Sequence, residues 1–323
     1  MSKNFELSRR QLLPYAASAA AVSGLLATWP AAAASAYPNK PITFLIPDGI
    51  GGGASTYVRE FSVLLGKYFT PNVNVEPIND QGANGQKAAL DLFHAAPDGY
   101  TIGMLGDVTS VKQDSDLLNK LSWVANLGKA SFGLAVNAKS NIQNVADLQK
   151  LSQTRPVVFS SSGKSALSYF AIKLFCKLND INAKVVVGYK GSTEAMLAVT
   201  RGEADATAQS MPTLKPMQDS GYLRTIFVYA TKSPLPGIDD ATSIAQPDLA
   251  EIIQWRVVAA PPGTPPEIVE TLYVALRNIA ADPATIAWSQ KVHVPIFFLG
   301  PDATKRVVQG QIDLLKKWQD VLG

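Results

Sequence analysis

Pro47-Asp48-Gly49-Ile50-Gly51-Gly52-Gly53-Ala54-Ser55-Thr56-Tyr57 follows a short apolar run, Ile42 to Ile46, that reads as a buried strand. Behind it, Val58, Phe61, Leu64 and Leu65 recur at helical spacing, so the glycines lie at a strand-to-helix turn. Three consecutive glycines allow positive φ and let a ligand approach the main chain without meeting a Cβ. The free N–H groups of the first helical turn, at the positive end of the helix dipole, suit an anion. Local sequence leaves two readings open: an acid-binding lip, or a turn in which Gly51 to Gly53 are only flexible.

Outward from this turn, strand-like runs alternate with helical patterns, which argues for α/β architecture with largely parallel sheets. Residues 73–76 and 101–105 read as further strands, with a helix over 86–95 between them. Residues 132–137 read as a buried strand, after which a second series begins. In that series residues 157–160 lead into Ser161-Ser162-Gly163-Lys164-Ser165 and an apolar helix to Leu178. Residues 184–187 lead to Tyr189-Lys190-Gly191-Ser192 and a helix to Arg201, followed by strands at 204–208 and 224–229. A last strand at 255–259 precedes helical material that starts with proline near its first turn. The shared plan of strand, small-residue loop and helix suggests two lobes whose loops face a common cleft.

The 323 residues suffice for two domains, and 47% apolar with 17% charged residues is the balance of a soluble globular protein. Ser8-Arg9-Arg10-Gln11-Leu12-Leu13 precedes an Ala-rich run ending in Ala34-Ser35-Ala36, a twin-arginine export signal with a small-x-small cleavage pattern. Residues 1–36 are therefore expected to be removed and the protein to be periplasmic. Lys3, Arg9, Arg10 and Glu6 lie in that segment, so two of the chain's three net positive charges belong to it. No nucleic-acid footprint remains. The single cysteine, Cys176, sits in an apolar helical run and reads as a structural thiol.

Seven motifs then occur in order. They are Pro38-x-Lys40-Pro41-Ile42, Pro47 with Gly51-Gly52-Gly53, Asn79-x-x-Gly82-Ala83-x-Gly85 and Pro97-Asp98-Gly99-Tyr100-Thr101. Tyr189-Lys190-Gly191-Ser192, Gly202-Glu203-Ala204-Asp205 and Ala260-Pro261-Pro262-Gly263-Thr264-Pro265 follow. Together they resemble the Bug (TctC-type) substrate-binding proteins of tripartite tricarboxylate transporters, over essentially the whole chain after residue 36. The resemblance implies a type II periplasmic-binding-protein fold, α/β in class, with two lobes joined by a hinge. Lobe 1 would take residues 37–137 and 254–323, and lobe 2 residues 138–253. It implies a receptor that holds a small carboxylate, a di- or tricarboxylate or an aromatic acid, and delivers it to membrane transporter subunits. The alternative is a ligand-sensing partner of a membrane sensor kinase. A monomer without cofactor is expected.

In the family pattern, small-residue loops on both sides give backbone and hydroxyl hydrogen bonds to the ligand. The matching positions are Gly51, Gly52, Gly53, Ala54 and Ser55 on one side and Ser161, Ser162, Gly163, Lys164 and Ser165 on the other. Tyr189 either walls the cleft or belongs to the core. Lys164 either pairs with a ligand carboxylate or is a solvated surface residue. Many family members read P-F-P-P-G-G-G-T-D at the lip; here Asp48, Gly49 and Ile50 replace F-P-P, and Ala54-Ser55 replaces T-D. The neutral Ser55 removes one natural partner for a ligand amine, which favours a plain acid over an amino acid.

Other chemistry is weaker. Ser162-Gly163-Lys164-Ser165 looks like the tail of a P-loop, but Val158 occupies the place of its first glycine. His94 and His293 lack a zinc-ligand spacing, and no G-x-S-x-G elbow is present. No enzyme activity is expected.

Overall fold

The computed structural model describes residues 37–49, 53–106 and 115–322. The expected export signal over 1–36 and the lip residues Gly51 and Gly52 lie outside the described residues. β1 (Ile42–Ile46) is the expected strand, with four of its five residues buried, as suits a parallel strand covered on both faces. It pairs in parallel with β2 (Val75–Asn79) and with β3 (Thr101–Met104). Between β1 and β2 runs α1 (Gly53–Tyr68), which turns Ala54, Tyr57, Val58, Phe61 and Leu65 inward at helical spacing. β2 begins two residues later than the sequence suggests. Val73 N–H still donates to Gly66 O at 3.2 Å, so Val73 belongs to the turn that leaves α1. α2 (Gln86–His94) connects β2 to β3, and α3 (Ser115–Lys120) precedes the central strand.

β4 (Ser122–Asn137) is sixteen residues long, whereas the apolar pattern marks only its last six. Its first half pairs antiparallel with β10 (Ile253–Ala260), and its second half with β7 (Ala206–Ser210) and β8 (Leu223–Tyr229). Asn126, Gly128 and Lys129 break the apolar pattern and hid the first half. Asn126 is fully buried yet satisfied: Nδ2 donates to Phe297 O at 2.7 Å, and Oδ1 accepts from Arg256 N–H at 2.9 Å.

The strand order is β2-β1-β3-β10-β4-β7-β5-β6, with β5 (Val157–Ser160) and β6 (Ala183–Val186) parallel to each other. β8 also pairs with β4 and carries the two-residue β9 (Asp239–Asp240) beside it. The expected parallel pairing holds for β1–β3 and β5–β7, while β4 and β10 run antiparallel through the middle. They join two α/β halves, the arrangement of a periplasmic-binding-protein fold. In the second half α4 (Val145–Ser152) leads into β5, α5 (Leu167–Leu178) and α6 (Ser192–Thr200) follow β5 and β6, and α7 (Met211–Asp219) follows β7. Phe132, Phe175, Phe227 and Tyr229 form a buried aromatic knot there, with ring centroids 4.9–6.4 Å apart. Such rings dominate core energetics because each buries about 150–250 Å².

Three helices end the chain: α8 (Pro266–Ala281), α9 (Pro283–Lys291) and α10 (Pro301–Lys317). The end of α10 reaches the half that contains α5. Gln311 Nε2 donates to Glu251 O at 2.8 Å, Trp318 Nε1 donates to Asp248 Oδ2 at 2.9 Å, and Val321 and Leu322 join the core around Phe175. At the opposite end of β1 and β3 from the glycines, Lys40 Nζ sits 3.3 Å from Asp98 Oδ2 and over the Tyr100 ring. Two of the sequence motifs are thus locked to each other away from the lip.

Candidate functional site

β1, β2 and β3 are parallel, so their carboxyl ends gather in one place, the usual ligand position in open α/β sheets. The loops that leave them touch. Gly85 lies against Pro47 and Gly106, where a Cβ would come within 3.0 Å of the proline side chain. Asp48 Oδ2 accepts from Ala54 N–H at 2.9 Å and so caps α1, where the helix dipole favours a negative charge. Asp48 O accepts from Asn79 Nδ2 at 2.7 Å. Asn79 Oδ1 in turn accepts from Arg59, whose Nε donates to Ser55 Oγ at 3.1 Å. This chain of bonds ties Asp48, after β1, to the end of β2 and to the first turn of α1. Two expected lip residues are therefore occupied within it: Ala54 and Ser55 are buried, with the Ala54 N–H and the Ser55 hydroxyl already engaged.

Gly53 opens α1, and the space its missing Cβ leaves is filled by the guanidinium of Arg256 from β10. Arg256 is 8% exposed. Its Nη2 donates to Gln254 Oε1 at 2.9 Å, and its Cζ lies 5.7 Å from the centre of the Tyr57 ring. Among the described residues it has no carboxylate partner at ion-pair distance. Burial pushes the Tyr57 hydroxyl up to about 12, against the opposing pull of the Arg256 charge, and that hydroxyl donates to Pro295 O.

The second half contributes the loop after β5. Ser161 is fully buried; its hydroxyl shares a hydrogen bond with Ser168 at 2.8 Å, and its N–H donates to Val186 O at 3.0 Å. Gly163 leaves room for Asn84 of the first half, whose Nδ2 is 2.8 Å from where a Cβ would stand. Asn84 Nδ2 also donates to Ser165 Oγ at 2.7 Å. Lys164 is exposed and forms no salt bridge among the described residues. Tyr189 is half-buried in the loop after β6, which Gly188 N–H ties to Ser162 O at 3.4 Å. The structure thus brings Gly163 and Ser165 against Asn84, and Gly188, the residue before Tyr189, to Ser162. It places Gly53 against Arg256 and turns the side chains of Ser55 and Ser161 inward.

The profile described as "Tripartite tricarboxylate transporter family receptor" matches residues 65–322. The chain belongs to that family.

Solute binding is accordingly this receptor's class of function. A UPF0065 protein of Bordetella bronchiseptica is 32% identical to it over 269 residues, which cover 79% of this chain and 77% of the relative. Among solved structures, Rhodopseudomonas palustris Rpa4515 with adipate superposes with a TM-score of 0.77 at 22% identity, over 89% of this chain and 98% of that one. MatC from Rhodopseudomonas palustris with bound malate gives a TM-score of 0.74 at 22% identity, over 89% of this chain and 100% of that one. These likenesses establish the fold.

Reading the receptor's sequence missed Arg256 and Asn84. Arg256 carried a signal, because it is the one charged residue in the apolar run Trp255-Arg256-Val257-Val258-Ala259. Asn84 carried none beyond its motif; its role follows from the left-handed turn at Ala83 (φ 45°) and Asn84 (φ 55°) that aims it across the sheet. Asp205, which is in a motif, and Glu194, just after one, serve the scaffold. Asp205 takes a two-pronged bond from Arg155, and Glu194 accepts from Lys190 N–H at the start of α6.

Proposed function

We propose that the protein is a periplasmic receptor that captures a small organic carboxylate between two lobes and hands it to a tripartite tricarboxylate-type membrane transporter. The observation that carries this reading is the meeting of loops from both halves at Asn84 and Ser165, beside the N-terminal end of α1 and its buried arginine. Donors and positive charge converge there, and an acid is the ligand they suit. The adipate and malate held by two similar structures support the same class.

In this reading lobe 1 takes residues 37–137 and 254–323 and lobe 2 takes 138–253, with β4 and β10 carrying the hinge; the second half of β4 and the residues after α10 pack with lobe 2. Gly51 to Gly53 and residues 162–165 supply backbone donors, with Tyr189 as a wall; Ser161, whose N–H donates to Val186 O, supports the second loop from beneath. Closure follows because only the closed form lets both loops contact the same anion. Export by the Ser8-Arg9-Arg10 signal and loss of residues 1–36 place the receptor in the periplasm. No reaction is assigned to it.

A thermal-shift screen of ligand-stripped protein against dicarboxylates, tricarboxylates, aromatic acids and amino acids tests the reading. An acid at a hundred times its dissociation constant stabilises by about 2.7 kcal/mol, or several degrees for a protein of this size. A shift confined to one acid class is expected. A folded, empty protein that no acid stabilises would sink the proposal.

A further inference from the structure

Arg256 combines three properties that seldom occur together. It is more than nine-tenths buried, it has no acid partner among the described residues, and its guanidinium occupies the space beside Gly53 at the first residue of α1. The last property sets a full positive charge against the positive end of a helix dipole. A buried charge without a counter-ion is costly, and proximity to a like-signed dipole adds to that cost. The acid in the same turn does not relieve it. Asp48 directs Oδ2 to Ala54 N–H, and Gln254, which accepts from Nη2, is neutral. Tyr57 offers its ring face, which holds the cation in place without neutralising it. Among the described residues, the bond to Gln254 uses one of the five guanidinium N–H donors.

We infer that Arg256 is the charge-selecting residue of the site, receiving one ligand carboxylate through its free guanidinium edge beside the N-terminus of α1. The inference rests on the receptor reading and goes beyond it by naming the residue that demands a full negative charge. Backbone N–H groups still bind a neutral carbonyl, though less strongly than a carboxylate. A buried guanidinium does not treat them alike, because only the anion restores neutrality. The ligand class is therefore an ionised carboxylate at this position, in preference to an amide or ester of the same shape.

The test compares wild type with Arg256→Gln and Arg256→Lys by titration calorimetry, using adipate, malate, citrate and nicotinate, each beside its carboxamide. Far-UV circular dichroism and thermal unfolding establish that the variants are folded. Wild type should prefer the acid over its amide by roughly 10- to 100-fold, the worth of a charge-assisted bond. In Arg256→Gln that preference should collapse through loss of acid affinity, with amide affinity unchanged. Arg256→Lys should keep the preference at lower affinity, because it retains the charge and loses the fork. Equal weakening of acid and amide in Arg256→Gln, or an unchanged preference, would show a merely structural role and overturn the inference while leaving the receptor intact. If Arg256→Gln does not fold, the lysine variant decides, and a lost preference in it overturns the inference. Wild type that binds no acid of the panel overturns both readings.

Discussion

Asn84 Nδ2 donates to Ser165 Oγ at 2.7 Å, so a side chain from the loop after β2 is bonded to one from the loop after β5. The two residues are 81 positions apart and belong to different halves of the sheet. Asn84 reaches across because Ala83 and Asn84 both take left-handed φ, which Asn tolerates better than most residues. Asn84→Ala should weaken closure by about 1 kcal/mol, or roughly five-fold in apparent affinity. A double-mutant cycle with Ser165→Ala, read by calorimetry, measures the coupling. Independent effects of the two substitutions would remove the latch.

Gly53→Ala sets opposite effects against each other. Alanine gains up to about 1 kcal/mol of helix propensity in a helix interior and less at this first position, while its Cβ takes the space of the Arg256 guanidinium. Thermal stability should change little, whereas carboxylate affinity should fall at least ten-fold if the displaced arginine contacts ligand. Affinity that tracks stability would separate Gly53 from the site.

Asp205 predicts an acid limb of stability. Its burial alone would raise the carboxyl pKa, but the Arg155 fork, the Val158 N–H and the Arg155 charge outweigh that and hold it below the ordinary value of 3.8. A carboxylate depressed in the folded state contributes stability above its unfolded pKa and loses it as pH falls through the folded value. Asp205→Asn should therefore lower the melting temperature at pH 7, and the gap to wild type should shrink below about pH 4. A gap that stays constant down to pH 2 would contradict this role.

Cys176 should be silent in the native protein. Burial pushes its thiol up to about 12, only partly opposed by Lys173, and its exposure is 7%. The thiolate is the reactive form, so a chromogenic disulfide reagent at pH 8 should label it only after unfolding. Stoichiometric labelling within minutes of mixing with native protein would refute the buried assignment.

Much of the fold was legible because its signals are local. The apolar run before the glycines, the periodicity of Val58, Phe61 and Leu65, and the apolar helix over 167–178 each encode one element and the face it buries. The motifs also marked the loops at the carboxyl ends of the strands. What stayed illegible is non-local. The first half of β4 carries Asn126, Gly128 and Lys129, which argue against a buried strand until Phe297 and Arg256 are seen to satisfy Asn126. Lip residues such as Ser55 looked available to ligand until Arg59 was found on the hydroxyl.

By itself, then, the sequence determined the α/β class, the strand-loop-helix plan and the position of a glycine-rich helix start, since each depends on residues a few positions apart. Tertiary structure alone decided which side chains converge on that helix start. Arg256 stands 203 positions from Gly53 and reaches it only because β10 crosses back between β3 and β4. Periodicity reports which face of an element is buried; it carries no information about which distant strand arrives on that face, and here the arriving strand brings the charge.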